Sequence, residues 1–120
     1  LIHKLGGKAM DGLYATMTAQ APYLDDATQG LRFWANKYKT KFNEDPGVFS
    51  AYGYMVLDLF VQGAQKAGPN LSTDSLSAPP DLFGGPAVSF SATKRLGNAT
   101  SRLSQIQDGR WKPVSDYIKP

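Results

Sequence analysis

Residues 45–67 read Asp45-Pro46-Gly47-Val48-Phe49-Ser50-Ala51-Tyr52-Gly53-Tyr54-Met55-Val56-Leu57-Asp58-Leu59-Phe60-Val61-Gln62-Gly63-Ala64-Gln65-Lys66-Ala67. The opening Asp-Pro-Gly is a turn by composition, because proline presets one backbone angle and glycine frees the next. From Val48 the pattern predicts a helix to Ala67. Phe49, Ala51, Tyr52, Met55, Val56, Leu57, Leu59, Phe60, Val61 and Ala64 put apolar groups nearly all the way round it, and only Asp58, Gln62, Gln65 and Lys66 interrupt them. A helix apolar on every side is expected to be buried on every side. Gly68-Pro69 ends it, with glycine suited to the left-handed cap and proline unable to continue.

Upstream, Leu31, Trp34, Ala35, Tyr38 and Phe42 recur at three- and four-residue spacing and predict an amphipathic helix over 27–42. Asp25 or Asp26 is expected to accept hydrogen bonds from its first-turn amides. Lys37, Lys39 and Lys41 suit the negative end of its dipole. Before it, Gly12 to Thr18 is a short β-branched and aromatic run that predicts a strand, preceded by a Gly6-Gly7 turn.

Downstream, residues 70–85 are turn-rich, with one helical turn expected over 72–76 and breaks at Pro79-Pro80 and Gly84-Gly85-Pro86. Residues 87–90 predict a short strand. Residues 102–107 and 110–115 flank Asp108-Gly109, a pair that tolerates the two positive φ angles of a tight hairpin turn. A two-residue loop sets Gln107 against Arg110, Ile106 against Trp111 and Leu103 against Val114. Apolar residues then lie on both faces, so the hairpin is expected to join a larger sheet, with Pro113 on an edge strand or at a non-donating position.

The whole chain is one domain's length at 120 residues, and 42% hydrophobic against 19% charged composition makes it globular. There is no Cys, which excludes disulfides, thiolate zinc and thiol catalysis, and the single His3 rules out a His-rich metal site and argues against a His-based triad. No stretch has the ~20 apolar residues that span a bilayer. The first residue is Leu1, so the chain is expected to be processed or a piece of something longer. Net charge is +3, and the surplus lies beyond Ser89, where Lys94, Arg95, Arg102, Arg110, Lys112 and Lys119 face only Asp108 and Asp116. These cations are dispersed, which fits a solvated polar face better than a nucleic-acid footprint.

Chemistry-bearing clusters are poor. Asp25-Asp26 and Glu44-Asp45 sit at turn positions, where capping explains them. Gly84-Gly85-Pro86 lacks the Lys-Ser/Thr that a phosphate loop needs. The residues therefore point away from an enzyme, and no cofactor is expected. The stronger lead is aromatic: Phe49, Tyr52 and Tyr54 cluster at the start of the apolar helix, where such a group either lines a small-molecule cleft or fills the core.

Residues 45–54, Asp-Pro-Gly-Val-Phe-Ser-Ala-Tyr-Gly-Tyr, resemble a signature of the type I periplasmic solute-binding proteins, the receptors that feed branched-chain amino acids to ABC transporters. Three further segments agree in order: Gly7-Lys8-Ala9-Met10-Asp11-Gly12-Leu13-Tyr14, Gly85-Pro86-Ala87-Val88-Ser89-Phe90-Ser91, and Gln105-Ile106-Gln107-Asp108-Gly109-Arg110-Trp111-Lys112-Pro113-Val114. Met55 departs from the family, which usually has Asp there.

The resemblance implies an α/β fold: the C-terminal part of a two-lobed receptor with three-layer α/β/α lobes. This part would hold two main helices, short strands and the C-terminal hairpin. Residues 12–90 would complete one lobe and the hairpin of 98–117 would belong to the other. The apolar helix would then have its partners elsewhere in the polypeptide, and the piece in isolation is expected to self-associate. The implied activity is capture of a small molecule, by default a branched-chain amino acid, and its delivery to a membrane permease. The implied location is periplasmic or extracellular, through a signal peptide that this chain does not carry. Val48 and Phe49 match the loop that touches the ligand side chain, with Tyr52 beside them as a further candidate, and the resemblance sets Met17 and Thr18 near the cleft. Two other readings stand beside this one: a cytoplasmic small-molecule sensor of the same fold, and a basic interaction module binding acidic partners or nucleic acid. The receptor reading has no nucleic-acid partner.

Overall fold

The computed structural model describes residues 5–70, 72 and 77–119. Two helices dominate: α1, Gln29–Phe42, and α2, Val48–Ala67. Around them run β1 (Tyr14–Met17), β2 (Ser77–Ala78), β3 (Val88–Ser89), β4 (Arg102–Gln107) and β5 (Arg110–Pro113). The strands form two antiparallel sheets, one ordered β1-β4-β5 and the other β2-β3. The mixture of two helices with short strands is the α/β composition expected from the sequence.

The apolar helix has the bounds its sequence predicts. Ser50 Oγ accepts the N–H of Gly47 at its start, and Gly68, at φ 57°, caps its end by donating to Ala64 O. Its burial differs from the expectation of cover on all sides. Ala51 and Gly63 are buried, whereas Val56 is 67% and Leu57 68% exposed. Within the described residues one side of α2 packs and the other is open.

α1 begins two residues later than its pattern suggests, and neither Asp25 nor Asp26 serves as its cap. The cap position is Thr28, which makes no side-chain bond to the first turn. Asp26, itself buried, accepts from Thr28 N at 2.9 Å and from Gln20 Nε2 at 3.1 Å. Asp25 is drawn away by Arg110, whose Nη1 lies 2.7 Å from Asp25 Oδ1. An opposite charge on the hairpin attracts a flexible carboxylate more strongly than neutral amides do. The helix ends at Asn43 in the left-handed region, φ 55°.

The core is Ala19, Leu31, Ala51 and Phe83, with Trp34, Tyr52 and Met55 packed against it. Phe83 is fully buried and is met edge-on by Trp34, with ring centroids 4.9 Å apart, and by Tyr54 at 6.0 Å. It reaches the core from a turn rather than from a helix or strand. Asp81 Oδ1 shapes that turn by accepting the N–H groups of Phe83 and Gly85, each at 2.8 Å, and Gly84 takes φ 69°. Gln20 N donates to Phe83 O at 2.9 Å, which ties the turn to the segment leaving β1.

The hairpin follows its predicted register: Gln107 faces Arg110 and Ile106 faces Trp111, and Val114 N donates to Leu103 O. Asp108 and Gly109 both have positive φ, 53° and 72°. The hairpin joins a larger sheet through β1, with Tyr14 opposite Gln105 and Met17 opposite Arg102. Pro113 lies on the edge strand. The β2-β3 ladder is additional to the expected strands; the expected strand of 87–90 shrinks to Val88–Ser89, which pairs with Ser77–Ala78. The helical turn expected over 72–76 falls outside the described residues apart from Ser72.

Candidate functional site

β1 runs out at Met17, and the chain then passes Thr18 on its way to α1. Thr18 is where three distant segments meet. Its hydroxyl lies 3.0 Å from the phenol of Tyr52 on α2. Its carbonyl accepts the hydroxyl of Tyr117 at 2.8 Å, and the same hydroxyl also reaches Gly84 O. One phenol therefore clips the end of β1 to the Asp81–Gly85 turn. Burial is the main cause that raises the Tyr117 pKa, opposed by the nearby Arg102 charge.

Of the five residues singled out in the sequence, Thr18 and Tyr52 are joined directly. Phe49 is next to Tyr52, with ring centroids 6.4 Å apart, and is 89% exposed. Its ring is offered to solvent at the first turn of α2 although it is one of the most apolar groups in the chain. Val48, half-buried, opens the same turn. Met17, also half-buried, sits on β1 opposite Arg102, on the strand side of Thr18. The two groups of candidates, β1's end and α2's start, thus converge through the Thr18–Tyr52 bond.

Beside Tyr52 a small cleft of ≈ 150 Å³ opens between α2 and the 78–88 segment, lined by Tyr52, Met55, Leu59, Asp81, Pro86 and Val88 among others. A wider groove of ≈ 730 Å³ lies farther along α2 by Lys66 and Ser77. It is shallow and remote from the aromatic cluster, so the small cleft is the better neighbour for a ligand.

Two residues at this junction escaped the sequence reading. Tyr117 stands alone in a polar tail, and its partner Thr18 is 99 positions away. Arg102, counted there only as one of the dispersed cations, has its guanidinium 5.1 Å from the Tyr117 ring centroid. No local pattern flags either one. Among the described residues no group of three or more His, Asp or Glu side chains could hold a metal ion.

A second junction holds the hairpin to the segment before α1. Tyr23 Oη accepts Trp111 N at 2.7 Å, and the Arg110 guanidinium lies 5.0 Å from the Tyr23 ring while pairing with Asp25. The Arg110 hydrogen bond holds the Asp25 carboxyl below the usual carboxylate range. Desolvation raises the Tyr23 pKa.

Residues 1–110 match the model of a protein family described as Periplasmic binding protein, and the chain belongs to that family. Among solved structures it is similar to a branched-chain amino acid ABC transporter protein from Thermus thermophilus with bound valine. The TM-score is 0.56 at 15% identity, over 98% of this chain and 36% of that one. At that identity the likeness shows the fold: a fragment of a type I periplasmic binding protein. The chain spans about a third of the length of the protein it matches. No curated protein sequence matches it significantly.

Proposed function

We propose that this chain is part of the substrate-binding component of an ABC transporter. It captures a branched-chain amino acid, or a similar small metabolite, between two lobes in the periplasm and delivers it to a membrane permease. Residues 12–90 complete one lobe and the hairpin of 98–117 belongs to the other, with β1 as a crossing between them. Val48, Phe49 and Tyr52 meet the ligand from α2, and Met17 and Thr18 meet it from β1.

The observation that carries this reading is the exposed ring of Phe49, 89% accessible, one turn from the Tyr52–Thr18 bond. An apolar ring held out of the core beside a convergent pair of hydroxyls has the character of a binding wall: one group for an apolar side chain, others for polar atoms. The valine seen in the structural neighbour supports the ligand class. Closure of two lobes about the ligand selects the occupied state by differential affinity, which is how a permease would tell a loaded receptor from an empty one.

Calorimetry of the full-length protein with leucine, isoleucine and valine tests the reading. Binding of at least one with Kd of about 10 μM or tighter, roughly −7 kcal/mol, is the expected result. The 120-residue chain alone is expected to bind more weakly. Absence of binding by the full-length protein at millimolar concentration of all three removes the ligand class.

A further inference from the structure

Arg102 has chemistry that the fold leaves unfinished. It is the first residue of β4, opposite Met17. Its guanidinium is covered by the Tyr117 ring at 5.1 Å and by Gly84, where an added Cβ would come within 3.1 Å of Nη2. Nε and Nη2 are shut off from water and have no hydrogen-bond partner among the described residues. The ion pairs among those residues are Lys39–Asp45, Arg110–Asp25 and Lys112–Asp108, and none of them includes Arg102. Asp81, on the adjoining turn, uses one carboxylate oxygen for the amides of Phe83 and Gly85 instead.

Two buried charged donors without an acceptor are costly, by more than a neutral hydrogen bond returns. The pair that is left open is informative. Nε–H and one Nη2–H lie on the same edge of the planar group and point in parallel, the geometry that grips both oxygens of one carboxylate. A turn with a side chain at position 84 would crowd this edge.

We infer that the Nε–Nη2 edge of Arg102 is a carboxylate-binding point. The inference rests on the receptor reading above for its first source of carboxylate, a small carboxylic acid held beside Thr18 and Tyr52. The cover over Arg102, Tyr117, is also the group bonded to Thr18 O, so the arginine and the candidate site share one partner. In this structure the edge is closed. A carboxylate reaches it when the Gly84 turn and the Tyr117 ring part, and it then supplies two charge-assisted hydrogen bonds that the closed form lacks. The second source with the same chemistry is an Asp or Glu side chain elsewhere in the full-length protein.

The test compares the full-length wild type with Arg102→Met and Arg102→Lys, using valine, valinamide and acetate against chloride at matched ionic strength. If the source is a free acid, R102M weakens valine binding by about tenfold or more, valinamide binding is unchanged, acetate raises the melting temperature of the wild type but not of R102M, and R102K falls between. If the source is a side chain, free carboxylates act equally on both proteins, but R102M is less stable than wild type at pH 7 and this gap closes below about pH 4, where carboxylates protonate. Equal responses to free carboxylates together with a stability gap that is zero or the same at pH 3 and pH 7 overturn the inference. An Arg102-dependent acetate effect in a wild type that binds no branched-chain amino acid would leave this inference standing while the receptor's ligand class failed.

Discussion

The hydroxyls of Thr18 and Tyr52 lie 3.0 Å apart although the residues are 34 positions apart in sequence. That bond ties the end of β1 to the first turns of α2 and brings both sets of candidate ligand contacts to one place. Tyr52→Phe keeps the ring packed against the core cluster and deletes only the hydroxyl. The expected cost is about 1 kcal/mol of stability, the usual net worth of a part-buried hydrogen bond. Denaturant unfolding of the full-length protein measures it, and Thr18→Val should give a similar loss, with the double variant less than additive.

Phe49→Ala should separate binding from folding. The ring is 89% exposed, so its removal is expected to change stability by less than about 0.5 kcal/mol. Ligand affinity should fall by about tenfold or more, because burying such a ring against a ligand is worth roughly 1.5–3 kcal/mol. Calorimetry and thermal melting on the same samples check both halves. A large loss of stability with unchanged affinity would make Phe49 a packing residue.

Phe83→Ala has the opposite signature. Phe83 is fully buried between Trp34 and Tyr54, and truncating such a ring costs about 3–5 kcal/mol. The Asp81–Gly85 turn should loosen with it, since the aromatic anchor and the Asp81 hydrogen bonds hold the same five residues. Hydrogen exchange at Gln20, whose amide donates to Phe83 O, reports that loosening.

Acid should erase the Asp25–Arg110 contribution. Arg110 holds the Asp25 carboxyl below its ordinary value. A depressed folded-state pKa gives stability that is present above the unfolded value, about 3.9, and lost as pH falls through the folded one. Wild type should therefore exceed Asp25→Asn in stability at pH 7, and the two should converge on titration towards pH 2. Because the pair is exposed, the gap should also shrink in 1 M salt.

Base acts on Tyr117 with the other sign. Its raised pKa gives stability that is whole below the unfolded value, about 10, and lost as pH rises through the folded one. The wild type should weaken more steeply above pH 10 than Tyr117→Phe does, a difference in slope that melting curves resolve.

Much of this fold could be read locally. Asp108-Gly109 carries its own turn angles, so the hairpin register follows from two residues. Pro46-Gly47 and Gly68-Pro69 punctuate α2, so both its ends were legible. Elements that rest on distant partners were not. Strands β2 and β3 are two residues each, too short for any periodicity. Phe83 lies among Pro80, Gly84, Gly85 and Pro86, where composition says loop, and only the Asp81 side chain makes that loop a core-directed turn. Asp25 looked like a cap because its cation is 85 positions away. At the candidate site, Phe49 and Tyr52 stood out as aromatics near a helix start, whereas Tyr117 and Arg102 gain meaning only from the tertiary contacts that bring them to Thr18.

The two rims of the three-stranded sheet differ. On the outer rim of β5 two donor positions face away from β4. Trp111 N is already taken by the Tyr23 hydroxyl, and Pro113 has no N–H to offer. Neither donor is available to a further strand, which disfavours edge-to-edge pairing on that side. Strand β1, at the other rim of the order β1-β4-β5, has no proline among Tyr14–Met17. Among the described residues the two rims are therefore unequal: pairing by a further strand is obstructed beside Trp111 and Pro113, and the rim without that obstruction, Tyr14–Met17, is the one that leads to Thr18.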